Sequence, residues 1–253
     1  IPYDQIALST GETFTKEHLE EFNGMGYTAL LVNLDETSTG QLYDIALLSE
    51  FCKANGMYLI VDAISAFLAD EISMSKYGID ALIISSQKAL ALEPGISMVV
   101  LSPRAYSERA ITIKSPTYYL DLKHHILDQE RGQTPFTPAV GTLLCLNDML
   151  HMVDDIGIDE KIRRTRTLAE YFRQCAMDIG LRIPTYPLSN AVTPILFDGD
   201  AMEVYKRLND GYGITVTPSG GELKAHMLRV GHIGNLDKTD YDVLISALKE
   251  ILQ

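Results

Sequence analysis

Two side chains that could do chemistry follow apolar runs in this sequence. Asp62 comes directly after LIV, and Lys88 follows ALIISSQ. A third polar stretch, DETSTG at residues 35–40, follows the run YTALLVNL. A lysine amine in its neutral form attacks carbonyl groups, and a carboxylate removed from water can hold a proton on a ring nitrogen. A lysine and an acid of this kind could therefore act together on one ligand, which is one of two interpretations of these residues.

The apolar runs predict a sheet that would bring these residues together. Four runs are short enough for buried strands: Tyr27–Leu34, Met57–Asp62, Ala81–Ser85 and Ile96–Leu101. Between the first two, apolar residues from Leu42 to Cys52 recur at helical spacing, and Asn55-Gly56 supplies a stop. This alternation predicts an α/β fold with a mostly parallel sheet flanked by helices, and the unbroken apolar runs predict strands covered on both faces. The carboxyl ends of parallel strands share one edge, so Asp62 and Lys88 should meet there.

The pattern changes after about Pro138. Helices are predicted over Ala139–Val153, Asp159–Ile179 and Ala201–Asn209, with a last one from Lys238, and strands over residues 191–197, Ile214–Thr217 and Met227–Val230. This mixture indicates a smaller α+β unit. We expect a boundary near Gly157, with residues 1–157 forming part of a large cofactor-binding domain and residues 158–253 a small C-terminal domain.

Asp62 and Lys88 admit two interpretations. They could pair as a structural salt bridge, or Asp62 could cap the turn that follows it. Alternatively, each could serve a ligand, because a buried carboxylate is costly without a compensating positive group. A lysine that forms a Schiff base and an acid that keeps a pyridine nitrogen protonated are the two protein groups that pyridoxal phosphate requires.

Four motifs in order also carry a resemblance to a known family. ETSTG (36–40), VDAISAF (61–67), SQKALALEPG (86–95) and LRVGHIG (228–234) resemble the class V, fold-type I pyridoxal-phosphate aminotransferases. The similarity is strongest to the alanine–glyoxylate and serine–pyruvate branch, and it spans nearly the whole chain. It implies a large domain that binds pyridoxal 5'-phosphate and a smaller C-terminal domain.

The resemblance assigns roles to residues near the predicted sheet edge. Lys88 matches the catalytic lysine that binds the cofactor covalently, and Asp62 matches the acid on the pyridine nitrogen. Thr37 matches the hydroxyl residue beside the ring oxygen, and Gln87 matches the cofactor contact before the lysine.

Three further matches lie later in the chain. Thr137, in GQTPFTP, resembles the threonine that reaches the cofactor phosphate of a neighbouring subunit, with Thr134 as a companion; a threonine before proline is also an ordinary turn residue. Arg229 matches the arginine that binds the substrate carboxylate, a role that suits the fork of a guanidinium. The alternative for Arg229 is an internal ion pair.

The sequence departs from the family pattern in two places. Leu34 stands where the family often has histidine. No glycine- and serine-rich phosphate loop precedes Tyr27, and the chain has no Trp to stack on the cofactor ring. With the first residue being Ile1, we expect a fragment that lacks the N-terminal part of its family's large domain.

The resemblance implies a transaminase that moves an amino group between a small amino acid and a 2-oxo acid, working as a homodimer with its site at the subunit interface. Gln87 argues against a cysteine desulfurase, where histidine is typical, and against phosphonate-specific relatives, which tend toward asparagine. A 2-aminoethylphosphonate–pyruvate aminotransferase or a desulfurase-like enzyme nevertheless stays open as an alternative. So does an inactive fragment or dimerisation module.

The amino-acid composition argues against several classes of binding partner. Lys+Arg number 21 against 34 Asp+Glu, giving a net charge of −13, which would repel a nucleic-acid backbone. The three cysteines, Cys52, Cys145 and Cys175, lie in helix-like segments with no metal-ligand spacing, so we expect small core residues of a reduced, cytoplasmic protein and no metal. No window is apolar enough for a membrane span, and we expect no membrane partner.

Overall fold

A computed structural model describes residues 2–253. The strands are β1 (Ala29–Asn33), β2 (Asp35–Glu36), β3 (Gln41–Leu42), β4 (Tyr58–Asp62), β5 (Ala81–Ser85), β6 (Ser97–Leu101), β7 (Val192–Leu196), β8 (Thr217–Pro218) and β9 (Met227–Gly231). The α-helices are α1 (Lys16–Glu20), α2 (Ile45–Asn55), α3 (Met74–Tyr77), α4 (Pro103–Ala105), α5 (Leu122–Glu130), α6 (Val140–Ile156), α7 (Ile158–Asp178), α8 (Ala201–Tyr212) and α9 (Lys238–Leu252). A π-helical turn covers Tyr106–Ala110, and a 3₁₀ turn covers Gly221–Ala225.

A four-stranded sheet forms the first half of the fold, in the order β1-β4-β5-β6. β4 lies parallel to both β1 and β5, whereas β6 runs antiparallel to β5. This mixed, mostly parallel sheet with flanking helices confirms the predicted α/β class. All four predicted strands are present, with ends that differ by at most two residues.

The expectation that these strands are covered on both faces holds for the inner strands only. Leu59 and Val61 of β4 are fully buried, but Leu31 of β1 is 72% exposed, and Val99 and Val100 of β6 are also exposed. β1 and β6 are the outer strands of the sheet. An apolar run therefore identified the strands correctly but could not report which of them lie at the edges.

The start of α2 is a second point at which the structure differs from the prediction. Leu42 lies in β3 rather than in the predicted helix, because the Asp44 carboxylate accepts hydrogen bonds from the N–H groups of Ala46 and Leu47 and starts the helix at Ile45. The predicted stop is confirmed. Gly56 takes a φ of 65°, which ends α2.

The second half of the fold is built on the antiparallel sheet β7-β9-β8 with α7, α8 and α9 against it. The predicted strand Ile214–Thr217 is mostly wrong, since β8 covers only Thr217–Pro218. Gly213 closes α8 with a φ of 66°, and the Ile214 N–H donates to the Leu208 carbonyl of that helix. The backbone N–H of Ile214 is therefore bonded to the end of α8 and not to a neighbouring strand.

Three apolar clusters lie inside the described residues. One surrounds Leu59 under α2, a second surrounds Phe172 and β7, and a third packs Leu146 and Val153 of α6 against Leu90. α6 thus packs with the first half of the chain, and much of α7 packs with the second. The boundary near Gly157, which separates these helices, stays a prediction.

The cysteines occupy helices as expected, but they are not all core residues. Cys52 is buried, Cys175 is half-buried, and Cys145 is exposed on the outer side of α6. Among residues 2–253, no helix is long and apolar enough to cross a bilayer. The same residues contain no group of three or more His, Cys, Asp or Glu side chains placed to hold a metal.

Candidate active site

The carboxyl ends of β1, β4 and β5 meet at one edge of the large sheet. Asn33 pairs with Asp62, and Asp62 pairs with Ile83 in the strand register. The connection continues past the strands, because the Leu34 N–H donates to the Asp62 carbonyl and the Ala63 N–H donates to the Ile83 carbonyl, each at 2.9 Å. The three polar segments predicted from the sequence therefore leave the sheet side by side.

Asp62 is half-buried at the end of β4, and one of its oxygens has a structural role. Oδ1 accepts a hydrogen bond of 2.9 Å from the Ile64 N–H, which is the turn-capping interaction considered above. Oδ2 accepts none from the described residues. The predicted alternative of a salt bridge to Lys88 is wrong, because no ion pair joins these side chains.

Lys88 lies in a tight turn after β5. Its carbonyl accepts from the Ala91 N–H at 2.8 Å, and Ala91 itself takes a φ of 54°, a region that non-glycine residues rarely occupy. The half-buried Lys88 side chain makes no hydrogen bond or ion pair to any residue in 2–253. The strained turn after β5 therefore carries Lys88, whose side-chain amine has no hydrogen-bond or ion-pair partner in the described residues.

The residues before the lysine differ in their surroundings. Ser86 is buried, and its hydroxyl donates to the Glu93 carbonyl at 2.7 Å, which ties the turn together. Gln87 is exposed, and its side-chain oxygen accepts from the Ser85 hydroxyl. That contact fixes Gln87 at the rim of the sheet edge.

Thr37 lies in the turn of a short hairpin made by β2 and β3. Its hydroxyl lies 3.1 Å from the hydroxyl of Ser65, a buried residue in the segment after β4. Ser65 could not be singled out from the sequence, since a serine after a strand is commonplace. Its position three residues after Asp62, at the same edge, was the available signal.

Arg229 of β9 reaches across to this hairpin. Nη1 donates to the Thr37 carbonyl at 2.7 Å, and Nη2 donates to the Pro218 carbonyl at 2.9 Å. Nε is buried and has no partner among the described residues, and Arg229 makes no ion pair. Burial lowers the pKa of Arg229, while the carboxylates of Glu36 and Asp35 act in the opposite direction. The alternative role of Arg229 in an internal ion pair is therefore wrong, and its Nε–H donor has no acceptor.

Two acidic side chains in the hairpin were not assigned roles from the sequence. Burial raises the pKa of Glu36, but hydrogen bonds from the Ser38 N–H and hydroxyl and from the Asn33 amide outweigh it, so the pKa lies below its ordinary value. Asp35 points elsewhere. Its side chain is buried, and neither oxygen has a hydrogen-bond partner.

Thr134 and Thr137 are not part of this cluster. Both are exposed in the loop between α5 and α6, and the Thr134 hydroxyl donates to the Phe136 carbonyl at 2.6 Å. No hydrogen bond joins either threonine to Thr37, Asp62 or Lys88 in the part of the chain that the structure describes. The other predicted site residues lie in the strand-end segments or reach them from β9.

The unpaired groups at this edge define what could bind there. Lys88 offers a free amine, Asp62 offers a free carboxylate oxygen, and Arg229 offers a buried N–H with no acceptor. These groups fit pyridoxal phosphate bound through its aldehyde and its ring nitrogen, together with a substrate carboxylate.

Comparison with known proteins places this arrangement in context. Residues 5–228 match the family model described as Aminotransferase class-V. The small subunit of a soluble hydrogenase from Synechococcus sp. is 31% identical over 230 residues, which cover 88% of this chain and 59% of that protein. A serine–glyoxylate aminotransferase from Arabidopsis thaliana is 27% identical over 235 residues, covering 89% of this chain and 58% of that protein.

Solved structures agree in fold. A crystal structure of an alanine–glyoxylate aminotransferase from Nostoc sp. superposes with a TM-score of 0.85 at 28% identity and covers 96% of this chain and 67% of that one. A NifS-like protein at 16% identity and a TM-score of 0.73 shares the fold alone. The chain spans about 59% of the length of the curated relatives that it matches.

Proposed function

Because the chain belongs to the class V aminotransferase family, we propose that it takes part in moving an amino group between a small amino acid and a 2-oxo acid. The donor is of the alanine or serine type and the acceptor of the glyoxylate or pyruvate type. The observation that carries this proposal is the unpartnered amine of Lys88 beside Asp62 and Thr37 at one sheet edge. Relatives named as serine– and alanine–glyoxylate aminotransferases support the choice of substrates.

The proposed roles follow from the chemistry of each side chain. Bound pyridoxal phosphate supplies an electron sink that makes the α-proton of an amino acid acidic. Lys88 would hold the cofactor through its amine and would also serve as the general base and acid that moves the α-proton. Asp62 would use its free oxygen to keep the ring nitrogen protonated, since an anion nearby favours a positive charge. Thr37 would supply a hydroxyl, and Gln87 an amide, to hold the cofactor.

Arg229 is proposed to orient the substrate. Its Nη atoms are fixed by two carbonyl groups, so the guanidinium cannot rotate freely, and its Nε is left to donate to one oxygen of a carboxylate. Fixing the carboxylate holds the α-carbon in place for proton transfer to and from Lys88. The hairpin carbonyl that Arg229 binds belongs to Thr37, so substrate and cofactor positions are linked.

A cysteine desulfurase is less well supported than an aminotransferase. Desulfurase chemistry needs a mobile, reactive thiolate. Burial, with a smaller contribution from Asp80, raises the pKa of Cys52 to about 12, and Cys145 and Cys175 are held within α6 and α7. The thiols of the described residues therefore favour transamination. No feature of the site distinguishes a phosphonate substrate, and that alternative stays with the substrate survey below.

We propose in addition that the protein works as a cytoplasmic homodimer. Thr137, with Thr134, would reach the cofactor phosphate of a neighbouring copy, which agrees with their exposure on the loop between α5 and α6. Three free thiols agree with a reducing compartment.

Cofactor binding tests the proposal. Lys88→Ala removes the amine that binds the aldehyde, so titration with pyridoxal phosphate should lose the visible absorbance band that the wild-type chain develops. Addition of alanine or serine should bleach the band in the wild type, and a survey of amino donors, 2-aminoethylphosphonate included, should rank the substrates.

The matched control is Lys123→Ala, which removes an exposed lysine of α5 and should behave as the wild type. An equal band in the Lys88→Ala and wild-type chains would contradict the role of Lys88. A band that no amino donor bleaches would contradict amino transfer and favour a binding module.

A further inference from the structure

Ser65 and Thr37 form a pair of hydroxyl groups at the edge of the large sheet, and the assignments above give Ser65 no role. The two hydroxyl oxygens lie 3.1 Å apart, and neither hydroxyl has a second hydrogen-bond partner among residues 2–253. Ser65 is buried, with 6% of its surface exposed, whereas Thr37 is half-buried. Two hydroxyls carry two hydrogens, and one contact between them uses only one. One O–H donor of the pair is therefore left over.

The burial of Ser65 decides which hydrogen is left over. If Thr37 donated to Ser65, the Ser65 O–H would be buried without an acceptor, an arrangement that folded proteins avoid. In the opposite direction, Ser65 donates to Thr37, and the remaining hydrogen belongs to the less buried hydroxyl, where water or a ligand can accept it. The favourable hydrogen bond thus runs from Ser65 to Thr37 and leaves the Thr37 O–H free.

The backbone around each hydroxyl is fixed by its own hydrogen bond. Ser65 lies in the turn after β4 that Asp62 caps, since Asp62 Oδ1 accepts from the Ile64 N–H at 2.9 Å. The Thr37 carbonyl accepts from Arg229 Nη1 at 2.7 Å. The hydroxyl contact therefore links the turn that carries Asp62 to the hairpin that Arg229 holds. A donor fixed in this way loses little freedom when it binds a ligand.

We propose that Ser65 is a positioning residue of the site: its hydroxyl donates to Thr37 and so directs the Thr37 hydrogen toward a bound ligand. The ligand atom that this donor suits is an oxygen, most strongly one that carries negative charge, such as the ring oxygen of pyridoxal phosphate. The inference rests on the proposed function for the identity of the ligand, whereas the direction of the bond from Ser65 to Thr37 needs no ligand.

Two cofactor probes test the part that concerns the ligand. Pyridoxal phosphate carries the ring oxygen, and 3-deoxypyridoxal phosphate lacks it. Ser65→Ala should weaken the binding of pyridoxal phosphate about fivefold and change that of the deoxy analogue by less than about twofold. Absorbance titration of the wild type and the variant with each probe measures the dissociation constants.

The matched control is Ser115→Ala. Ser115 also pairs with a threonine hydroxyl, that of Thr117 at 3.0 Å, but in the loop before α5. This variant should bind both probes as the wild type does. Two changes at the partner complete the set. Thr37→Ser keeps the hydroxyl and should retain the preference for pyridoxal phosphate over the deoxy analogue, whereas Thr37→Val should lose it.

A double-mutant cycle tests the direction of the bond in the chain without cofactor. Thr37→Val leaves the buried Ser65 O–H without an acceptor, so it should raise the unfolding equilibrium constant about tenfold. Ser65→Ala leaves only the half-buried Thr37 hydroxyl, which water can reach, so the rise should be about threefold or less. In the Ser65→Ala background, Thr37→Val should cost little, because no buried donor remains.

Urea denaturation of the four chains measures these constants. Should Thr37→Val alone not fold, folding of the double variant would support the proposal, and its failure to fold would count against it. Equal weakening of both probes in Ser65→Ala would overturn the proposal, as would equal and uncoupled costs of Ser65→Ala and Thr37→Val. Failure of the proposed function has a different signature: neither probe binds the wild type, and the cycle alone decides whether Ser65 orients Thr37.

Discussion

At the scale of single residues, the site combines fixed backbone with side chains that have unused donors or acceptors. Arg229 donates two N–H groups to backbone carbonyls, and its Nε has no partner. One oxygen of Asp62 accepts a hydrogen bond from the backbone of the following turn. Lys88 forms hydrogen bonds only through its backbone. Groups of this kind are ready for a ligand because no protein contact has to break when it binds.

These residues could be predicted to different degrees. Lys88, Asp62 and Thr37 follow apolar strands, and strand order alone brings their segments to one edge. The unpaired state of Asp35 could not be predicted, because it depends on the hairpin register and on which distant residues pack over the hairpin. Sequence spacing carries no information about contacts of that kind.

His232 gives a prediction about stability and pH. It is 1% exposed, and its ring nitrogens lie 2.9 Å from the Tyr241 hydroxyl and 2.7 Å from the Thr193 hydroxyl. Burial, assisted by the charge of Arg173, lowers the pKa of His232 to about 3. The unfolded chain binds a proton at this residue below about pH 6.5, whereas the folded chain does not until about pH 3, so stability falls as the pH drops through that window.

His232→Gln should remove this loss. Between pH 7 and pH 4, the difference in free energy of unfolding between the wild type and the variant should shrink by about 3 kcal/mol. Urea denaturation at several pH values measures it. A difference that stays constant with pH would show that His232 titrates normally in the folded protein.

At the scale of elements, the hairpin of β2 and β3 is hydrogen-bonded to the segments just before β7 and just after β8. The Ser189 N–H donates to the Gly40 carbonyl at 2.9 Å, and the Ser219 hydroxyl donates to the Ser38 carbonyl at 2.8 Å. The prediction from sequence recognised the DETSTG cluster but not the hairpin, because two-residue strands carry no periodic signal. A different cause explains the misplaced strand at Ile214–Thr217, where the end of α8 overrode a β-type composition.

Gly40 makes the hairpin sensitive to a single methyl group. Its φ is 68°, and an added Cβ would lie 2.9 Å from Pro194 Cδ and 3.2 Å from the Val192 carbonyl oxygen. Gly40→Ala should therefore destabilise the protein by about 1–3 kcal/mol and weaken pyridoxal phosphate binding by displacing Thr37. Thermal unfolding and the absorbance titration measure the two effects.

Gly213→Ala provides the control, since Gly213 also has a positive φ, of 66°, but an added Cβ meets nothing within 4 Å. It should show the backbone strain alone. Equal losses of cofactor affinity in both variants would mean that contact with β7 does not position the hairpin.

At the scale of the whole molecule, separate apolar clusters suggest that the halves of the chain unfold as distinct units. Leu59 lies fully buried in the cluster under the large sheet, and Phe172 lies fully buried beside His232 and Tyr241 in the other. Truncating a buried side chain of this size costs about 2–5 kcal/mol. A boundary near Gly157 therefore predicts that each truncation acts mainly on its own unit.

Calorimetry of Leu59→Ala and Phe172→Ala tests that boundary. Each variant should lower one of two unfolding transitions more than the other, and the transition affected should differ between them. A single transition that both variants lower equally would show one cooperative unit and would remove the proposed division at residues 157 and 158.

We propose above all that Lys88 is the lysine that carries the cofactor. The most direct test mixes the chain with pyridoxal phosphate at less than one equivalent, fixes it with borohydride and maps the modified peptide. The account predicts modification at Lys88 in preference to every other lysine, Lys123 included. Modification spread over exposed lysines, with Lys88 unmodified, would contradict it.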